Sequence, residues 1–510
     1  MWIIVGTIAY LLSVFGCIAA YAVSYLSKDV QVQSFGQLLY TLKFNEGGAE
    51  NTILQILQGF LVNYFIWFVL FTALYLFFLR NVSKNQKHKR NFLKWRISPK
   101  QKLASALCCI LTAVMCAAQI REGWIVLGVP AYLEQQNTYS TLFEDYYQSA
   151  SETNVVFPEK KKNLIYIMLE SMEQSYASTA LGGGMDQNLI PNLTRLAVEN
   201  NDFNSSDNAN VNGGLVTNNA SWTIAGIVAQ SAGIPLCIEN KEFTHNFEGE
   251  MAFLPNVKTL GDLLLDNGYH NYFMCGSESA YAGRANYFQQ HGNYEIFDLQ
   301  SARDEGKIPQ DYKVWWGYED AKLVDYAKEK ITMLAEQEEP FNFTMLTVDT
   351  HFQKGYKCED CRDNFDNQME NVIHCSDKRI GEFVKWIQEQ PFYEDTVVVI
   401  AGDHLNMDGL IPEIVAEGTS RKSYFCILNG PEYAFDQDRT YTTMDIFPTI
   451  AASLGAQIEG DRLGLGTNLY SDVPTLVEEM GFTALNDQIT CRSNLYENVI
   501  LGGHNEPNSQ

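Results

Sequence analysis

The fold class follows from the stretch Thr396-Val-Val-Val-Ile-Ala-Gly-Asp-His404, an uncharged run of strand length that ends abruptly in Asp403 and His404. A second run, Asn163-Leu-Ile-Tyr-Ile-Met-Leu-Glu-Ser171, has the same form and ends in Glu170. Apolar runs without alternation indicate strands that are buried on both faces of a parallel sheet. Ligand sites lie at the carboxyl ends of such strands, so these three charged residues are expected to meet at one edge.

A polar turn in the middle of the chain offers a further functional residue. Its sequence is Asn219-Ala-Ser-Trp-Thr-Ile-Ala-Gly226, and it runs directly into a helix of small residues, 227–232. Ser221 is predicted to cap this helix, which places Thr223 where unpaired N–H groups and the helix dipole favour negative charge. A phosphate group could be held beside Thr223. An ordinary helix cap is the alternative interpretation.

Strands and helices alternate from Asn163 onward. Short apolar runs predict further strands, and amphipathic runs predict helices between them. The predicted strands are 272–275, 343–348 and 423–428, and the clearest predicted helices are 257–266 and 367–389. This alternation predicts an α/β fold with three layers and a mostly parallel sheet.

The amino-terminal part of the chain has a different composition. Three apolar segments, 2–26, 53–79 and 103–129, are each long enough to cross a bilayer. The basic loop 80–102 between the second and third segments is expected on the cytoplasmic side. We therefore predict a multi-pass protein of the cell membrane whose remaining residues lie outside the cytoplasm.

Four regions follow from these patterns. They are a transmembrane domain, a membrane-proximal linker, a catalytic domain and a carboxyl-terminal extension with a polar tail. Their predicted bounds are 1–130, 131–162, 163–475 and 476–510.

Charge is distributed unevenly along the chain. The first 130 residues hold 12 Lys and Arg against 4 Asp and Glu, which leaves 24 basic and 57 acidic residues in the remainder. Such an acidic domain would be repelled by nucleic acid, so a nucleic-acid partner is not expected. Divalent cations, by contrast, could bind to this acidic domain.

The outer part contains seven cysteines: Cys237, Cys275, Cys358, Cys361, Cys375, Cys426 and Cys491. The pair Cys358-x-x-Cys361 could be half of a zinc site, but no second pair at finger spacing accompanies it. A disulfide among Cys358, Cys361 and Cys375 is therefore predicted, with its pairing open. Cys426 lies in an apolar run and is predicted to be a buried free thiol.

Glu170, Thr223, Asp403 and His404 together offer carboxylates, a hydroxyl and an imidazole to one divalent ion. Ligand type alone does not separate Mn²⁺, Mg²⁺ and Zn²⁺ for such a set. A bound cation lowers the pKa of a coordinated water by several units, and an alcohol should respond similarly. Thr223 is therefore a candidate nucleophile.

Five motifs together resemble the alkaline-phosphatase/sulfatase superfamily: Leu-Glu-Ser, Ser-Trp-Thr-Ile-Ala-Gly, Thr-Val-Asp-Thr-His, Ala-Gly-Asp-His and Asp-Ile-Phe-Pro-Thr-Ile. Within it the chain is most similar to the membrane phosphoglycerol transferases, the group of phosphoglycerol transferase I and lipoteichoic acid synthase, over residues 163–470. The resemblance implies that Glu170, Thr223, Asp403 and His404 bind one divalent metal ion, with Mn²⁺ expected ahead of Mg²⁺ and Zn²⁺. It also implies that Thr223 is the nucleophile. It further implies that the phosphoglycerol group is held by His351 and Arg284.

The function implied by this resemblance is transfer of phosphoglycerol from phosphatidylglycerol, through a phospho-threonine, to an envelope glycan or a teichoic-acid-type polyglycerol-phosphate acceptor. Ala282 stands where the synthase group carries a tryptophan at its substrate pocket, which leaves acceptor recognition open.

Three alternatives compete with this function. A sulfatase is disfavoured because Thr223-Ile-Ala-Gly-Ile227 lacks the family's Cys/Ser-x-Pro-x-Arg motif. Phosphoethanolamine transferases also use a threonine nucleophile, but they typically have more membrane spans. An inactive membrane scaffold or sensor would not be expected to keep both the metal ligands and the nucleophile.

Overall fold

The computed structural model describes residues 2–25, 120–205, 208–237, 252–433, 435 and 437–502, together with single positions between 35 and 118. The chain divides into two compact units, Met1–Leu133 and Glu134–Gln510.

In the first unit, helix α1 (Trp2–Ser24) covers most of the first predicted apolar segment. Among the residues that the structure describes, no helix is long and apolar enough to cross a membrane. Most of the predicted segments 53–79 and 103–129, and the whole basic loop 80–102, lie outside the described residues. The three membrane spans therefore stay a prediction.

The second unit is built on a seven-stranded sheet with the order β3-β8-β7-β2-β6-β4-β5. The five strands from β7 to β5 are parallel, whereas β8 is antiparallel to both of its neighbours. The α/β fold with a mostly parallel sheet is thus confirmed. The strands are β2 (Asn163–Leu169), β3 (Gly213–Gly214), β4 (His270–Cys275), β5 (Glu295–Phe297), β6 (Phe341–Leu346), β7 (Thr396–Gly402) and β8 (Ser423–Leu428).

The central strands form because their residues are buried on both faces. Every residue of β6, β7 and β8 is buried, and so is every residue of β2 except its first. Continuous burial explains why these strands appear as uninterrupted apolar runs rather than alternating ones. Short strand pairs lie outside the main sheet: β1 (Val155–Val156) with β9 (Gln457–Ile458), and β10 (Arg462–Leu463) with β11 (Gly466–Thr467).

Helices connect and cover the strands, as expected for an α/β domain. The longest in this unit is α10, whose amphipathic sequence buries one face against the core while Asn367 caps its first turn. The helices after α1 are α2 (Val129–Gln135), α3 (Leu142–Tyr146), α4 (Pro191–Glu199), α5 (Thr223–Ala232), α6 (Leu260–Asp266), α7 (Arg284–Gln290), α8 (Leu299–Asp304), α9 (Asp320–Ala335), α10 (Gln368–Gln388), α11 (Ile411–Ile414), α12 (Ile446–Ser453), α13 (Leu476–Met480) and α14 (Phe482–Thr490).

Candidate active site

The register of two neighbouring strands brings the predicted acidic residues together. Leu169 of β2 pairs with Gly402 of β7 in parallel register. The next residues, Glu170 and Asp403, therefore leave the sheet side by side at its carboxyl edge. His404 follows directly, and the side chains of all three residues are almost completely buried.

Thr223 is the first residue of α5, and the helix begins at this edge. Its Oγ1 lies 3.4 Å from Glu170 Oε2 and 3.4 Å from His404 Nε2. Ligand atoms of Glu170, Asp403 and His404 all lie within 4.8 Å of one another. The structure thus gathers all four predicted metal ligands into one cluster.

The predicted cap of this helix is wrong. The capping position belongs to Trp222, whose backbone is extended, and α5 has no side-chain cap among the described residues. Ser221 Oγ instead donates to the carbonyl of Asn218, at 2.8 Å. Its hydroxyl therefore stabilises the preceding turn, and the first N–H groups of α5 keep their capacity to bind an anion.

Helix α5 is packed unusually close to the end of β7, which Asp403 directly follows. A Cβ atom on Gly226 would lie 2.1 Å from the carbonyl oxygen of Asp403. Farther along the helix, Gln230 Nε2 donates to the carbonyls of Gly402, at 2.8 Å, and Asp403, at 3.1 Å. These contacts set the position of Thr223 relative to the carboxylates. Neither Gly226 nor Gln230 was predicted from the sequence.

Hydrogen bonds orient the ligand atoms. His404 Nδ1 lies 2.8 Å from the carbonyl of Leu405. A carbonyl can only accept, so Nδ1 carries the proton, and the lone pair of Nε2 is available to a metal. Asp403 Oδ1 accepts from the backbone N–H groups of Ser171 and His404, each at 2.8 Å. The other oxygen, Oδ2, is buried and has no hydrogen-bond partner among the described residues.

The ionisable groups of this buried site shift one another's pKa values. Burial raises the pKa of Asp403 to about 7, and the nearby Glu170 carboxylate adds to the effect. Burial also acts to raise the pKa of Glu170, but the two imidazoles, the hydrogen bond from Ser171 and the Arg284 charge together lower it. Burial acts to lower the pKa of His404, yet the two carboxylates raise it. A bound cation would stabilise this buried cluster, because it would offset the negative charge of the two carboxylates.

The donor set fits a divalent cation. Two carboxylates, an imidazole nitrogen with a free lone pair and a hydroxyl converge, and the unpartnered Asp403 Oδ2 points to a ligand beyond the protein's own donors. Oxygen ligands with one imidazole suit Mn²⁺, Mg²⁺ and Zn²⁺, so the geometry does not separate these ions.

His351 lies on the segment that follows β6, near Glu170. Its Nδ1 is hydrogen-bonded to the carbonyl of Phe352, and its ring centroid lies 4.8 Å from that of Trp316. Desolvation lowers the pKa of His351, which favours the neutral imidazole. Nε2 is then left as an acceptor for a substrate hydroxyl.

Arg284 is the first residue of α7 and is buried. Its Nη2 donates to Ser277 Oγ, at 3.0 Å, and to the carbonyl of Glu278, at 2.7 Å. Its Nε donates to the carbonyl of Tyr281, at 3.2 Å. The guanidinium is therefore held in place by the loop after β4, and its charge makes a smaller contribution to the lowered pKa of Glu170.

Three hydroxyl side chains around Glu170 were also not predicted. Ser171 Oγ donates to Glu170 Oε1 at 2.6 Å, Thr347 Oγ1 accepts from the Glu170 N–H at 2.9 Å, and Thr350 Oγ1 donates to the Glu170 carbonyl. All three lie within the Leu-Glu-Ser and Thr-Val-Asp-Thr-His motifs. These hydroxyl residues could have been identified in the sequence, because they stand beside charged residues at the ends of predicted strands.

The predicted disulfide is not formed in the structure, since Cys358, Cys361 and Cys375 are free thiols. Cys426 is buried and free, as predicted.

Comparison with known proteins defines the class. The model of the sulfatase family matches residues 162–456, a range that contains all six candidate site residues. The chain therefore belongs to the sulfatase family, whose fold is alkaline-phosphatase-like.

Two relatives are both named phosphoglycerol transferase I. The protein of Xanthomonas campestris pv. campestris (strain B100) is 33% identical over 323 residues, which is 62% of this chain and 43% of the relative. The protein of Salmonella choleraesuis (strain SC-B67) is 32% identical over 343 residues, 64% of this chain and 41% of the relative. The matched part of this chain thus spans less than half the length of either relative.

Among solved structures, the lipoteichoic acid synthase LtaP from Listeria monocytogenes is similar with a TM-score of 0.47 and 17% sequence identity. That similarity covers 62% of this chain and 79% of the other.

Proposed function

We propose that this chain is a membrane-anchored, metal-dependent transferase that moves phosphoglycerol from phosphatidylglycerol to an acceptor hydroxyl through a phospho-threonine at Thr223. The observation that carries the proposal is the position of Thr223 Oγ1, 3.4 Å from both Glu170 Oε2 and His404 Nε2 at the start of a helix. The relatives named phosphoglycerol transferase I support the identity of the transferred group.

The cation would be held by Glu170, Thr223, Asp403 and His404. When bound, it supplies positive charge that stabilises phosphoryl oxygens and lowers the pKa of the threonine hydroxyl. We propose Mn²⁺, with Mg²⁺ and Zn²⁺ as alternatives.

The first displacement forms a bond between Thr223 Oγ1 and the phosphorus of the lipid. The bond from phosphorus to the diacylglycerol oxygen breaks, and diacylglycerol leaves as the alcohol. The threonine loses one proton and the diacylglycerol oxygen gains one, so the step is balanced. The uncapped N–H groups at the start of α5 face the negative charge of the phosphoryl group.

The second displacement returns the threonine. An acceptor hydroxyl attacks the phosphorus, the bond between Thr223 Oγ1 and phosphorus breaks, and the threonine takes up a proton as the acceptor loses one. His351 is suited to hold the glycerol part, because its Nε2 can accept a hydrogen bond from a glycerol hydroxyl. Arg284 contributes positive charge near the phosphoryl group.

The acceptor is proposed to be an envelope glycan or a teichoic-acid-type polyglycerol-phosphate chain. The donor is a membrane lipid, so the catalytic unit is proposed to face the outer surface of the cell membrane, anchored by the predicted spans. The strongly acidic composition of this unit disfavours nucleic acid as a partner.

Intact-mass measurement after brief exposure of the full-length protein to phosphatidylglycerol tests this proposal. We expect one phosphoglycerol group on Thr223 of the wild type and none on Thr223→Ala, which should also release no diacylglycerol. Ser221→Ala is the matched control, because it removes from the same turn a hydroxyl that bonds to the Asn218 carbonyl. It should keep the adduct.

Diacylglycerol release at the wild-type rate by Thr223→Ala would overturn the mechanism and indicate direct attack by water. An adduct formed only with phosphatidylethanolamine would instead assign the chain to phosphoethanolamine transfer.

A further inference from the structure

Three cysteine sulfurs form a second cluster, separate from the Glu170–Asp403–His404 group. Cys358 and Cys361 lie on the segment between β6 and α10, and Cys375 lies on α10. Cys358 Sγ is 3.4 Å from Cys361 Sγ and 3.9 Å from Cys375 Sγ, and all three sulfurs lie within 4.8 Å of one another.

These separations match those of a tetrahedral thiolate site. Zinc binds cysteine sulfur at about 2.3 Å in tetrahedral geometry, which places neighbouring sulfurs about 3.8 Å apart. Cys-x-x-Cys is a common ligand spacing for zinc, and where three protein ligands bind the ion, water or another ligand takes the fourth position. Cys358 and Cys361 are 7% and 8% exposed, so an ion there would be shielded from solvent.

A cationic side chain beside the cluster favours the thiolate form. Arg379 lies one turn after Cys375 on α10, and its Nη2 is 3.2 Å from Cys358 Sγ. The same nitrogen is 3.4 Å from Asp360 Oδ2. Three thiolates and a divalent cation carry one net negative charge, which the guanidinium offsets.

We propose that Cys358, Cys361 and Cys375 bind a soft divalent cation of the zinc type, at a site distinct from the candidate active site. Thiolate ligands select Zn²⁺ over the harder Mg²⁺ and Mn²⁺. A disulfide would use only two of the three sulfurs and leave the third beside it, whereas a metal uses all of them.

The site has a structural consequence for the candidate active site. The segment that carries Cys358 and Cys361 begins at the end of β6 and also carries His351. A metal held jointly with Cys375 ties this segment to α10, and so restrains the loop on which His351 lies.

Alkylation of the native full-length protein separates a metal site from a disulfide. Trypsin cleaves after Lys and Arg, so Cys358 and Cys361 are recovered on peptide 358–362 and Cys375 on peptide 363–378. We expect iodoacetamide to leave all three thiols unmodified until a strong chelator is added, and then to modify all three. Cys491, which is partly exposed, should be modified equally with and without chelator.

A peptide 358–362 that is never alkylated and is lighter by two hydrogens, or one cross-linked to peptide 363–378, would overturn the proposal in favour of a disulfide. Equal alkylation with and without chelator would overturn it as well.

Metal analysis and cobalt reconstitution provide the second measurement. Asp403→Ala should lose the active-site ion and keep one equivalent of zinc. Cys375→Ser should lose that equivalent, and with it the thiolate-to-metal charge-transfer absorption of the Co²⁺-loaded protein. Cys491→Ser is the matched control, since its thiol bonds to the Asp487 carbonyl, away from the cluster, and it should retain both. Retention of the absorption by Cys375→Ser would refute the site.

Discussion

Replacement of Gly226 by alanine is expected to move helix α5 away from Asp403 and to lower the rate of the proposed transfer reaction about 100-fold or more. The new Cβ atom would lie 2.1 Å from the Asp403 carbonyl oxygen, whereas ordinary van der Waals contact begins at 3.4 Å. The helix and the strand end must therefore separate by about 1.3 Å. Thr223 lies one turn earlier on the same helix and would move with it.

The expected loss of rate follows from how closely the nucleophile must be aligned with the reacting phosphorus. A displacement of about 1 Å at a reacting group can cost about 100-fold in rate, or about 2.7 kcal/mol. Overpacking costs about 1–3 kcal/mol of stability, but alanine is a better helix former than glycine by about 1 kcal/mol. We therefore expect Gly226→Ala to remain folded, with a small loss of stability and a disproportionate loss of activity.

Diacylglycerol release, thermal denaturation and metal content are measured together on the purified full-length variant. Ala229→Gly is the matched control, because it weakens the same helix by about 1 kcal/mol or more without introducing a clash. It should lower the melting temperature and keep most of the activity. Wild-type activity in Gly226→Ala, or an equal loss in Ala229→Gly, would refute the idea that this close contact positions the nucleophile.

Three further predictions follow from the same structure. Asp403→Ala should lower metal occupancy of the candidate active site and the proposed transferase activity together, since it removes a proposed ligand; full occupancy measured by elemental analysis would place the cation elsewhere. Glu173→Ala should reduce the free energy of unfolding by about 3–5 kcal/mol, because it removes the fully buried carboxylate that pairs with the half-buried Arg421 guanidinium. Glu199→Ala, in an exposed ion pair, should cost less than about 1 kcal/mol in the same denaturation experiment. A reporter fused after Lys102 should behave as cytoplasmic, and an extracytoplasmic signal would contradict the predicted topology.

Much of the candidate site could be predicted because its charged residues directly follow strands that are buried on both faces. The runs ending in Glu170 and in Asp403-His404 are uncharged and apolar after their first residue, since both strands are covered on each face. An uninterrupted apolar run of strand length that ends in charge therefore indicates a ligand edge by its residue pattern alone. The motifs then indicated the family, which the match over residues 162–456 confirmed.

Strand orientation could not be predicted in the same way. The run Ser423–Leu428 is as apolar as its neighbours, yet β8 is antiparallel to β7. Burial on two faces produces the same sequence pattern for either direction, so only the path of the chain decides which is formed.

Residue patterns alone were sufficient to predict the fold class, the strand ends that carry Glu170, Asp403 and His404, and a threonine at a helix start. The packing of distant segments was needed to show that Trp222 rather than Ser221 occupies the cap, that Gly226 and Gln230 bring α5 against Asp403, and that the three clustered cysteines are free thiols. Local patterns report the burial and conformational preference of a segment. Distances between segments far apart in sequence depend on how packed elements exclude each other's volume, which no single segment encodes.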